Sequence, residues 1–71
     1  MSIYFEKTSI SGISRFVLQN REFRIIESSE DFTIQEFVNT ILFREEKFLD
    51  ESKALLTILN WINENSNSIK K

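Results

Sequence analysis

Apolar positions between Phe32 and Ile62 dominate the pattern of this chain. Ile34, Ile41, Phe48, Leu55 and Ile62 recur every seven residues, as along one seam of a helix. Their companions fall into two groups. Phe37, Val38 and Leu42 accompany the first part and Ile58 and Leu59 the last, while Arg44, Glu45, Glu51 and Ser52 leave the middle polar. A helix packed on a core needs apolar residues at i, i+3, i+4 and i+7 along its whole length. The pattern therefore predicts two helices folded back on each other rather than one rod.

Local signals place the boundaries. Thr33 and Glu36 have the spacing of a capping box, and Phe32 and Phe37 occupy the staple positions beside it. The first helix is expected from Ile34 to about Lys47. The link falls within Arg44 to Ser52, with Phe48 and Leu49 turned inward, and Asp50 is a suitable N-cap for a second helix running to about Asn63. Asn63 to Ser68 is rich in poor helix formers, so the domain is expected to span 1–65 with a frayed polar tail at 66–71.

The N-terminal third reads as strand. Ile3 to Lys7 is aromatic and β-branched, Ser11-Gly12 is a turn signal, and Ile13 to Gln19 with Glu22 to Glu27 forms a hairpin. An Asn20-Arg21 loop, or a longer one from Gln19 to Glu22, sets Leu18 against Phe23 and Phe16 against Ile25 on one apolar face. The other face then mixes Tyr4, Glu6, Arg15, Val17, Arg24 and Ile26. The fold class that follows is α+β: a two- to three-stranded antiparallel meander, then an antiparallel helix pair packed on one sheet face. Its expected core is Phe5, Phe16, Leu18, Phe23, Ile25, Phe37, Val38, Ile41, Leu55, Ile58, Leu59 and Ile62.

Composition agrees with one small globular domain. The 71 residues are 41% hydrophobic and 28% charged, too apolar for a disordered segment. Cysteine is absent, and neither a basic leader with a long apolar run nor a membrane-length apolar stretch is present. A soluble cytosolic protein is the expectation.

Charge changes the picture more. Residues 1–24 carry four bases against two acids, residues 25–51 carry eight acids against two bases, and residues 52–71 carry three bases against one acid. The middle is acidic and both ends are mildly basic. Histidine and cysteine are both missing, which removes the usual general base, the usual nucleophile pairings and most transition-metal ligands. There is no EF-hand spacing and no glycine-rich phosphate loop. No enzymatic activity, cofactor or metal is expected.

What remains is binding. The expected function is a small regulator or inhibitor that occupies a partner protein's surface. Its candidate contacts are Tyr4, Arg15, Val17, Arg24 and Ile26 on the open sheet face, Glu45, Glu46, Asp50 and Glu51 in the acidic stretch, and Trp61 at the border of the helical stripe. Small inhibitors carried by phages and mobile elements often present such acids to a basic groove that normally holds nucleic acid, and abundant Ile and Asn suit an AT-rich genome. A nucleic-acid reading would use Arg15, Arg21 and Arg24 of the hairpin, although an acidic chain lacks the usual basic footprint. A third reading is a structural homodimer in which residues 34–62 form one continuous helix pairing with its twin.

Overall fold

Two alternating segments after the hairpin, each a mixture of aromatic, β-branched and charged residues, add strands where the sequence pattern suggested helix. The computed structural model describes residues 4–69, with side chains through residue 64. Five strands, β1 (Glu6–Lys7), β2 (Ile13–Leu18), β3 (Arg21–Glu27), β4 (Phe32–Val38) and β5 (Ile41–Phe48), precede one helix, α1 (Glu51–Ile69). They pair antiparallel in the order β1-β2-β3-β4-β5, an uninterrupted meander. The helix lies across one face, over β4 and β5.

The expected helix pair on a short meander is therefore incorrect, as is a continuous helix over 34–62. The first of the two helices is the β4–β5 hairpin. Asn39 and Thr40 both adopt positive φ, 51° and 68°, and no right-handed helix passes through two such residues. They form the two-residue loop between Val38 and Ile41, the conformation that matches the twist of flanking strands. Thr33 and Glu36 are not a capping box but strand residues on opposite faces. The seven-residue spacing is coincidental: Ile34 and Ile62 are in the core, whereas Ile41 is 70% exposed.

Alternation sorts the sheet into a helix face and an open face. Phe16, Phe23, Glu36 and Arg44 form one row on the helix face, and Ser14, Ile25, Ile34 and Glu46 form the next. Phe23, Ile34, Ala54, Ile58, Trp61 and Ile62 make the core, with Phe5, Phe16, Leu18, Ile25, Phe32 and Phe48 packed around it. The Phe5, Phe16 and Phe23 rings follow one another at 5.8 and 6.5 Å, extending the apolar layer towards β1. Of the expected core, Phe37 lies on the open face and Ile41 is exposed, both because the hairpin replaces a helix, and Leu55 is 37% exposed at the margin of the helix's buried side.

The hairpin of β2 and β3 forms as expected, with a shift. Its loop is Gln19-Asn20, so Leu18 pairs with Arg21, Phe16 with Phe23 and Val17 with Glu22. Partners move by two residues, which leaves every side chain on its expected face. The shift brings Arg21 out of the loop and into β3, on the helix face. Gly12, at φ 83°, closes the β1–β2 loop where an added Cβ would meet the Glu27 carbonyl oxygen at 2.9 Å.

Asp50 caps α1 as expected. Its Oδ1 accepts from the Ser52 amide at 3.2 Å and its carbonyl accepts from the Ala54 amide at 3.1 Å. Ala54, Ile58, Trp61 and Ile62 then line the buried side at i, i+4, i+7 and i+8. The helix continues past the end expected near Asn63, to Ile69, and the side chains of the tail expected from residue 66 lie outside those described.

The centre of the helix face holds a charge. Glu36 is fully buried. One carboxylate oxygen accepts from Arg21 of β3, and the other accepts from Arg44 Nε of β5 at 2.5 Å. Arg44 continues outward, its guanidinium 4.2 Å from the Trp61 ring centroid and 3.3 Å from the Glu64 carboxylate. Three strands and the helix thus meet on one carboxylate. Removing it takes the ion pair from Arg21 and leaves Arg44 only the exposed Glu64, with each arginine about two-thirds buried.

Two outcomes test this description. Glu36→Ala is expected to cost about 3 kcal/mol, the scale for breaking a buried ion pair. Replacing Arg21 by Met, Glu36 by Leu and Arg44 by Met together is expected to recover most of that loss, because no buried charge is left unpaired. Urea unfolding followed by Trp61 fluorescence measures both. In the same assay Thr40→Gly is expected to stabilise by about 1 kcal/mol, since a β-branched residue is strained at positive φ.

Candidate interaction surface

The open face carries three rows across the sheet, each fixed by the strand register. Val17, Glu22, Phe37 and Leu42 form the row nearest the β2–β3 and β4–β5 loops. Glu6, Arg15, Arg24, Gln35 and Glu45 form the middle row. Ile13, Ile26, Thr33 and Lys47 form the third. Among the described residues no secondary-structure element covers these rows.

Electrostatics organise the middle. Glu22 accepts from Arg24 Nε at 2.6 Å and lies 4.0 Å from Arg15 Nη1, so one acid serves two bases. The Arg24 guanidinium also sits 4.8 Å from the Phe37 ring centroid, a cation–π contact that covers an otherwise open aromatic face. Gln35 donates to Glu45 at 2.6 Å. Across the three rows, the acids Glu6, Glu22 and Glu45 equal the bases Arg15, Arg24 and Lys47 in number, so the face is neutral. Val17 and Leu42 stand in it 53% and 47% exposed.

No protein-family model, curated protein or solved structure matches this chain.

Of the residues singled out from the sequence, Arg15, Val17, Arg24, Ile26 and Glu45 come together on the open face. Tyr4 stands exposed just before β1. The acidic stretch is divided. Glu45 and Glu46 point to opposite faces of β5, Asp50 caps the helix and Glu51 opens its first turn. Trp61 is only 7% exposed, packed in the core under Arg44. Arg21, the third arginine of the basic-hairpin reading, lies on the helix face against Glu36.

Sequence reasoning missed Phe37, Leu42 and Glu22 as members of the face. The signal for Phe37 was its parity with Thr33 and Gln35, visible only once 32–38 is read as strand. Leu42 is shifted by a bulge, since Glu36 pairs with Arg44 but Phe37 with Leu42, leaving Phe43 as the extra residue.

A cleft of about 670 Å³ opens on the helix side, between the start of α1 and the β1–β2 loop. Phe5, Ile25, Phe32 and Leu55 line it together with Lys7, Glu27, Glu51 and several hydroxyls. Among the described residues there is no group of three metal-ligating side chains, and no helix is long and apolar enough to cross a membrane.

Proposed function

We propose that this chain is a protein-binding module that regulates or inhibits a partner by covering part of its surface with the open sheet face. The observation that carries this reading is the interleaving of exposed Val17 and Leu42 and half-buried Phe37 and Ile26 with equal numbers of acids and bases. Non-obligate interfaces have this mixture: a few apolar or aromatic anchors inside a polar surround. Arg24 stacked on Phe37 supplies the kind of anchor that ranks highest at such interfaces. Nucleic acid is a poorer fit, because phosphate contacts need a net positive surface and this one is neutral.

The reading is tested by capture with the full chain and with two variants. Wild type is expected to retain a protein partner from host extract. Val17→Asp combined with Leu42→Asp is expected to lose it with unchanged circular dichroism, while Ile10→Asp, in the β1–β2 loop away from the face, retains it. Retention of the partner by the double variant overturns the assignment of the face. A gel shift of nucleic acid with no protein captured overturns the function.

A further inference from the structure

The sheet ends unequally. β1 offers a two-residue edge, whereas β5 is eight residues long with no neighbouring strand on its outer side among the described residues. An open edge of that length presents a row of unpaired backbone donors and acceptors, which natural proteins cover or guard with charge. From Arg44 to Phe48 the strand is regular, with the bulge confined to Phe43. On either side of this stretch stand exposed apolar residues, Phe43 at 61%, with the Arg21 and Arg44 guanidinium groups each 5.7 Å from its ring centroid, and Leu49 at 85%.

We infer that a second copy of this chain pairs antiparallel with β5 along Arg44 to Phe48, about a two-fold axis at Glu46, to give a continuous ten-stranded sheet. The surface differs from the open face, so the inference goes beyond the proposed function and does not rest on it. The register follows from symmetry. A two-fold axis normal to the sheet puts one residue opposite its own copy and matches its neighbours on either side in reverse order. Three residues of the regular stretch can sit at its centre. With Glu45 there, Arg44 meets Glu46 twice, but Glu45 meets Glu45 and the Phe43 bulge enters the ladder opposite Lys47. With Lys47 there, Lys47 meets Lys47, and the one opposite-charge match, Arg44 with Asp50, falls beyond the end of the strand, on the residue that caps α1.

With Glu46 on the axis, Glu45 of each copy stands opposite Lys47 of the other, twice, on the open-face side. Phe43 of each copy falls opposite Leu49 of the other, so both exposed apolar residues gain cover. The cost is one Glu46–Glu46 contact on the helix side. Each Glu46 there lies diagonal to Arg44 of the other copy, within reach of a long side chain. Neither Glu46 nor Lys47 has an ion pair within the chain among the described residues, so neither must give one up.

Sedimentation equilibrium of the full chain from micromolar to millimolar concentration tests this. The mass is expected to rise from 8.5 kDa towards twice that value and to stop there. Lys47→Glu is expected to weaken association about tenfold by turning both cross-strand ion pairs into repulsions. Adding Glu45→Lys to it restores the opposite charges and is expected to recover the wild-type constant to within about threefold. Glu46→Gln is expected to tighten the dimer. Independently of any variant, hydrogen exchange of the wild type is expected to show β5 amides gaining protection with concentration. A mass fixed at one copy, growth beyond two copies, a charge swap that does not rescue, or a dimer broken by Val17→Asp but not by Lys47→Glu would each overturn the inference.

Discussion

A carboxylate buried in the covered face of a sheet is tolerable only if its charge is met on both oxygens, and Glu36 has that arrangement. Its partners come from the strands on either side, Arg21 from β3 and Arg44 from β5, so the group reads alignment as well as charge. A two-residue slip of β3 or β5 against β4 would keep every side chain on its proper face. Hydrophobic sorting alone is blind to such a slip. It would, however, carry an arginine away from Glu36 and leave a buried charge half-met. Arg44 extends the same constraint to the helix through Trp61 and Glu64. One acid thus ties together the register of three strands and the seat of α1.

That group also explains where the sequence misled. Read as a strand, Phe32 to Val38 would be expected to place apolar residues at alternate positions and polar ones between. Two adjacent residues break the rule: Glu36 is charged and faces inward, and Phe37 is aromatic and faces outward. The same two residues, with Thr33 and Phe32, happen to complete a helix-start signature. Each violation is compensated by an arginine on a neighbouring strand, Arg21 and Arg44 for Glu36 and Arg24 for Phe37. Arg21 and Arg44 stand 15 and 8 residues from Glu36, each across a turn, so the remedy shows only once the strands are paired. The positive φ at Asn39 and Thr40 was hidden for a similar reason, since Thr is a poor advertisement for that conformation.

The N-terminal hairpin shows the opposite case. Its loop was misplaced, yet the face assignments survive because the displacement is two residues and side-chain direction repeats every two. This is why Arg15, Val17, Arg24 and Ile26 could be grouped from the sequence, while Phe37 and Leu42, which complete the same surface, could not. The acidic stretch fails for the complementary reason. Charges adjacent in sequence were read as one patch, but a strand sends neighbours to opposite faces and the cap consumes Asp50.

The two surfaces left over, the open face and the β5 edge, are compatible in a particular way. A two-fold axis normal to the sheet turns a copy about that normal without inverting it. Both open faces of an edge-paired dimer therefore look in the same direction. A face with few anchors binds weakly on its own, because most of its area is complementarity rather than energy. Two such faces side by side meet a repetitive or symmetric target with the second contact already at high effective concentration. In the proposed dimer a neutral, modest surface on a 71-residue chain would gain strength from geometry, without any residue beyond those already in its sheet.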